Sequence, residues 1–314
     1  MRQSIFLWLA AILMVASTLG PAQTPAKHDP SSRGSSAEAR SYVDYSLPEL
    51  QKAVSTLHGL EPDPSQDQLS LVLTKVGQVA EDILGKTPNL LSHENVEQVF
   101  EMEDGTPSNS KALNDSRPRE FDYLILFQDD PINSRIKLEE YRTDPQGHPI
   151  DPSIGDLRNP RSQGFATTWL LFLPSHGAES RFRYLGKQKI KEHGTFVVAF
   201  AQNPGLVQFP AEVAFQGGRI PVFHQGVAWI DEATFRIVRL QTDLLNPIPS
   251  IHMERLTARL QFDDMQVSGM TSLLWLPREV EITSKIKHEI FSEVHRYSNY
   301  RLYAVSSKIV PATP

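Results

Sequence analysis

Arg255-Leu256-Thr257-Ala258-Arg259-Leu260-Gln261-Phe262 is the stretch that decides the fold. Leu256, Ala258, Leu260 and Phe262 alternate with Arg255, Thr257, Arg259 and Gln261, a period of two that gives a strand one apolar and one wet face. Such strands belong to antiparallel sheets with one side on a core and the other in water. The same period recurs on both sides of this segment, in short runs separated by Gly, Pro, Asn and Asp. It predicts strands at 96–102, 121–128, 135–141, 181–184, 195–201, 213–222, 226–230, 236–244, 254–262, 273–286 and 288–305. The polar stretches 103–119 and 143–163 read as surface loops within this sheet, because strand-like segments flank both. The apolar run Thr167-Thr168-Trp169-Leu170-Leu171-Phe172-Leu173, ended by Pro174, fits a buried strand or a short helix equally well.

Before residue 95 the period is helical. Ser46 and Glu49 make a capping box, and Leu47, Leu50, Val54 and Leu57 follow at spacings of three and four until Gly59. Asp63, Pro64 and Gln66 read as the start of a second helix, with Gly85 and Pro88 as its stop. Leu69, Val72, Val76, Val79 and Ile83 form its stripe, widened by Leu73, Ala80 and Leu84. A helix over 64–84 would be about 31 Å long and has to lay that stripe on something apolar.

The first residues carry an export pattern. Arg2 is followed by an uncharged apolar run from Ile5 to Leu19, and Gly20 and Ala22 are the small residues expected before a cut. Residues 1–22 are thus expected to be a cleavable signal peptide, with no membrane-spanning segment after its removal, and 23–45, rich in Pro, Ser, Ala and charge, a disordered tether. The two helices of 46–90 and the sheet of 91–308 are then one domain. Without Cys there is no residue to acylate as a lipoprotein and no disulfide, and 31 basic against 37 acidic residues leave no electropositive stripe for nucleic acid.

The segment Gly226-Val227-Ala228-Trp229-Ile230-Asp231-Glu232-Ala233-Thr234, continuing through Arg236-Ile237-Val238-Arg239-Leu240, resembles the hairpin of exported LolA-like proteins. That superfamily includes periplasmic lipoprotein carriers and RseB-like sensors. Leu274-Trp275-Leu276-Pro277-Arg278-Glu279 and His295-Arg296-Tyr297-Ser298-Asn299-Tyr300-Arg301 are similar to the closing strands of such proteins, and Arg183-Tyr184-Leu185-Gly186 with 195–200 to the preceding pair. The resemblance spans 121–305 and is densest over 220–305. It implies an α+β fold: a strongly curved antiparallel sheet, an unclosed barrel, wrapped around N-terminal and inserted helices and an apolar cavity. The likeness is one of fold motifs, and no functional residue transfers with it.

Signatures of catalysis and metal binding are missing from the sequence. There is no His-Glu-x-x-His, no Gly-x-Ser-x-Gly, and no phosphate or dinucleotide loop. His288, Glu289, Glu293 and His295 read as solvated strand residues, with the two His on opposite faces, and the pairs Asp129-Asp130 and Asp263-Asp264 as turn formers after strands. The expectation is a non-enzymatic protein of the bacterial periplasm or envelope, with no cofactor and no metal. Apolar surface remains: Phe182, Tyr184, Phe196, Val198, Phe200, Trp229, Leu256, Leu260 and Phe262 are candidates to line a cavity for a lipid or an acylated protein. The same residues could instead pack the core against the second helix. In that case the protein would be a structural or protein-interaction module of the envelope with a plugged cavity, meeting an envelope protein partner.

Overall fold

Ser46 donates from its backbone N–H and from its hydroxyl to Glu49 Oε2, each at 2.7 Å, and α1 (Leu47–Ala53) starts where the capping pattern predicts. The structure, a computed structural model, describes residues 40–105, 119–130, 135–150, 165–208, 210–215 and 218–303. The expected signal peptide and most of the expected tether lie outside these residues. The last part of that tether, 40–45, belongs to the fold: Tyr42 is buried and its N–H donates to Gln225 Oε1 at 2.8 Å, and Asp44 pairs with Arg181 at 2.7 Å.

The 3-10 turn Ser55–Leu57 and the two-residue β1 (Glu61–Pro62) lead to α2 (Leu69–Lys86). The second helix thus begins at Leu69 and not at residue 64. Asp63 spends its carboxylate on the Ser65 N–H at 2.9 Å, a local turn, and Gln66 turns its amide to the backbone of Tyr184.

The strands are β2 (Leu90–Met102), β3 (Arg119–Asp130), β4 (Arg135–Thr143), β5 (Ser180–Ile190), β6 (His193–Gln202), β7 (Ala211–Phe215), β8 (Gly218–Val222), β9 (His224–Asp231), β10 (Ile237–Leu244), β11 (Met253–Gln266), β12 (Leu273–Ile286) and β13 (Glu289–Leu302). All of them but β7 and β8 join β1 in one sheet of the order β1-β5-β6-β9-β10-β11-β12-β13-β2-β3-β4, antiparallel throughout, with no pairing among the described residues that closes the ring. β7 and β8 form a separate hairpin, where the alternation predicted one strand over 213–222. Asp263 and Asp264 sit inside β11, not after it, because a register shift at Gln261/Phe262 lets pairing continue to Gln266. The apolar run before Pro174 is a 3-10 helix, Ala166–Phe172, followed by a second, Pro174–Glu179.

Residues 165–179 show how far the sheet bends. Phe165 packs on Tyr123 of β3 and Tyr297 of β13, while Phe172 packs on Phe182 of β5 and Phe200 of β6. β3 and β5 are eight strand spacings apart, about 38 Å in a flat sheet. Seven residues of 3-10 helix rise only about 14 Å, so the sheet curls until its two ends meet the same short segment. One core fills the concavity, with Val72 and Val76 of α2 among residues from β2 through β13.

The two helices take opposite sides. α1 and its 3-10 turn lay Leu50, Val54 and Leu57 on the convex face, against Leu185, Val197, Val227 and Trp229. The chain rounds the β5 edge between them. Gly186 is required there, with φ +131° and an added Cβ only 2.1 Å from the Glu61 carbonyl oxygen.

Candidate binding site on the concave face

A single cross-strand row shows the character of the concave wall. Tyr184, Val198, Ala228, Leu240, Leu260, Val280 and His295 are successive register partners from β5 to β13. The wall is therefore apolar across six strands and turns polar at β13.

Over the apolar part runs a cleft between α2 and the sheet. Val76, Val79, Ala80 and Ile83 form its roof, Thr168 one end, and Phe235, Ile237, Leu240, Phe262 and Trp275 its floor. Thr168 is the one polar residue type among these, and the Trp275 indole N–H is already bonded to the Ile237 carbonyl at 2.8 Å. Val79, Ala80 and Ile83 are only half-buried, which is apolar surface that the folded chain leaves partly uncovered. The empty space is ≈ 450 Å³ with its open mouth included, and the part a water-sized centre can occupy is ≈ 30 Å³. That is room for a water molecule or two.

The hairpin that carries the family resemblance has a physical role at this cleft. The Asp231 carboxylate accepts the N–H groups of Ala233 and Thr234 and the Thr234 hydroxyl at 3.1, 2.8 and 2.8 Å. This turn brings Phe235 into the left-handed region, φ 56°, and stacks its ring on Phe196 at 5.9 Å. Asp231 thereby positions part of the cleft floor.

Of the nine residues proposed from sequence, Phe262 lines the cleft, and Phe182, Tyr184, Phe196, Val198, Phe200 and Leu260 join the surrounding core. Leu256 packs elsewhere, with Val222, Leu244, Ile251 and Met253. Trp229 faces the convex side, where its indole N–H donates to Gln188 Oε1 at 2.8 Å. The helix stripe already contained the roof, whereas Phe235, Ile237 and Trp275 carry no sequence signal that marks them as floor.

At the β13-β2-β3-β4 end the wall is a buried polar network. Arg142 donates to both oxygens of Glu94, Nε at 2.5 Å and Nη2 at 2.8 Å. His295 Nδ1 lies 2.9 Å from Glu94 and its Nε2 3.4 Å from Glu293, which also accepts from Gln98 at 2.7 Å. Glu94 and His295 have 0% and 1% exposed side chains, so His295 and Glu293 are not the solvated residues expected from the sequence. His288 is exposed in the turn before β13.

Burial would push the Glu94 carboxyl up, but Arg142 and His295 hold it well below the usual carboxylate range. Burial would likewise pull the His295 imidazole down, and its contacts with Glu293 and Glu94 carry it above its ordinary value instead. Next to this network, Glu140 accepts the Tyr123 hydroxyl and the Ala166 N–H, the latter at 2.8 Å, and burial raises its pKa. Among the described residues no group of three or more His, Asp or Glu is arranged to hold a metal ion, and no helix is long and apolar enough to cross a membrane.

No family model matches the chain, and no curated protein matches it. Solved structures similar to it include the following two. One is a domain assigned to an outer membrane lipoprotein-sorting protein of Vibrio parahaemolyticus, 12% identical, covering 75% of this chain and 94% of that one, with a TM-score of 0.39. The other is a DUF1329 family protein from Desulfovibrio piger, 11% identical, covering 77% and 95%, with a TM-score of 0.40. The fold described above, an unclosed antiparallel sheet around helices, rests on its own strand pairing.

Proposed function

We propose that the protein is an exported, non-enzymatic binding protein that takes up an apolar ligand, an acyl chain or an acylated protein, between α2 and the concave face of the sheet. The observation that carries this is the cleft, whose walls are apolar on both sides and whose helical roof stays half-buried. A site that engulfs a drug-sized ligand has roughly 300–1,000 Å³, so uptake has to displace the roof. The apolar run of residues 5–19 and the absence of Cys favour a free protein of the periplasm or envelope. The tests are organic extraction of purified protein with mass spectrometry, and titration with a fluorescent fatty acid. Protein that is always empty and takes up no probe would remove this reading.

The alternative, an envelope interaction module with a plugged concavity, is favoured by one observation. Val72, Val76, Phe165 and Phe172 already fill most of the concave side. Crosslinking in intact envelopes separates the two readings: a reproducible protein partner together with absent probe uptake favours the module.

A further inference from the structure

We propose that Arg239 of β10 and Arg259 of β11 form a binding site for a phosphate group on the convex face of the sheet. The site lies on the opposite side from the cleft and stands whether or not the cleft takes a ligand. Arg239 is the register partner of Gln261, and Gln241 is that of Arg259. Leu240 and Leu260, the residues between them, belong to the concave core, so these four side chains share the convex face. They form a block with the two arginines on one diagonal and the two glutamines on the other. Diagonal positions on an antiparallel pair are about 7–8 Å apart, a span that two long side chains can close around one tetrahedral oxyanion.

No carboxylate stands inside this block, and the acids on its border are engaged elsewhere. Asp243 accepts from Gln241 at 2.8 Å and also from the Thr257 hydroxyl, and Glu279 accepts from Gln261 at 3.3 Å and from Arg296 at 3.1 Å. Glu281 meets Arg259 at 3.3 Å, with the two side chains 45% and 38% exposed, a pair that water holds only loosely. Arg239 has no ion pair among the described residues.

A bulge fixes where Arg239 lies. The β9-β10 register shifts between Ile237 and Arg239, and the extra residue, Val238, turns into the convex cluster under α1. Arg239 follows on the same side and sets its guanidinium over the fully buried Trp229 ring, 5.6 Å from the centroid. The planar fork is thus held half-buried beside a second guanidinium, and burial, then the charge of Arg259, lowers its pKa from the ordinary value. An oxyanion between the two groups relieves their repulsion and accepts from the flat edge of each.

The test titrates the full chain with inorganic phosphate by calorimetry, against sodium chloride of equal ionic strength, and sediments it with phosphatidylcholine vesicles with and without phosphatidylglycerol. The phosphate Kd should rise about tenfold or more in Arg239→Gln and in Arg259→Gln, the factor carried by one hydrogen bond to a charged group. Arg219→Gln removes a cation from the separate β7-β8 hairpin, where it pairs with Glu212, and should leave binding unchanged. Glu281→Gln releases Arg259 and should tighten binding, a gain that a misfolded variant cannot produce. Binding of the free ion alone, lost in Arg239→Gln, points to a soluble phosphate; sedimentation with the anionic vesicles, lost in Arg239→Gln, points to a lipid headgroup. Wild-type protein that binds neither overturns the site, as does binding that Arg239→Gln and Arg219→Gln weaken alike, and binding that Glu281→Gln fails to tighten removes Arg259 from it.

Discussion

Gln66 pairs with Tyr184 as a strand residue would: its amide nitrogen donates to the Tyr184 carbonyl at 3.0 Å and its Oε1 accepts the Tyr184 N–H at 2.9 Å. One side chain thus covers the β5 edge just beyond the reach of β1. Gln66→Ala should lower unfolding free energy by about 1–3 kcal/mol, the range for removing partners from partly buried backbone groups. Gln66→Glu, which keeps the acceptor and loses the donor, should fall between. Urea unfolding followed by circular dichroism measures both, and an unchanged midpoint for Gln66→Ala would show that the edge does not need its cover.

Gly186 makes a sharper prediction in the same place. Its φ of +131° and the 2.1 Å from an added Cβ to the Glu61 carbonyl oxygen leave no room for a side chain. Gly186→Ala should destabilise the protein by more than about 1 kcal/mol and should detach β1, seen as lost hydrogen-exchange protection at 60–66 with the rest of the sheet unaffected.

The buried network predicts a stability profile with two limbs. His295, whose pKa is raised in the fold because Glu293 and Glu94 outweigh its burial, contributes stability that is complete below its unfolded pKa of about 6.5 and is lost as pH climbs through the folded value. Glu94, whose pKa is depressed by Arg142 and His295 against its burial, contributes above its unfolded pKa of about 4.3 and loses that as pH falls through the folded one. His295→Asn should flatten the alkaline limb of unfolding free energy against pH and only weaken the acid limb, because Arg142 still holds the Glu94 carboxyl down. An unaltered alkaline limb in the variant would mean that this imidazole is neutral in the fold.

Breaking the pair differs from replacing it. Glu94→Leu strands the Arg142 charge in the core and should cost about 3–5 kcal/mol, whereas Glu94→Leu with Arg142→Leu should cost much less. Thermal or denaturant unfolding of the single and double variants checks this, and a double variant worse than the single would contradict it.

Ala80→Phe fills the cleft from its roof. It should abolish uptake of a fluorescent fatty acid at a cost of about 1–3 kcal/mol in unfolding free energy, since the added ring is larger than the space beneath the roof. Undiminished uptake in the folded variant would place the ligand elsewhere.

The strand pattern was legible wherever one face is wet. β11 and β12 alternate cleanly because their convex side carries Arg259, Glu281 and Glu279 in water. β9 did not reveal its faces, because α1 and the concave core bury residues 225–231 on both sides, so Trp229 could not be assigned from its neighbours. The polar network was unreadable for a different reason. Glu94, Arg142 and His295 satisfy one another across sequence separations of 48 and 201, and within a single strand a buried Glu looks the same as a solvated one. The early helix start failed likewise, since Gln66, which resembled the capping partner of Asp63, is claimed by Tyr184, 118 positions away.

The hydrogen bond from Tyr42 to Gln225 joins positions 183 apart, and α1 has its seat on β5, β6 and β9. A chain made from its amino end therefore releases its first helix long before that helix has anywhere to land. Closing so large a loop is slow, and α1 has no complete seat on the sheet until residue 231 has been made.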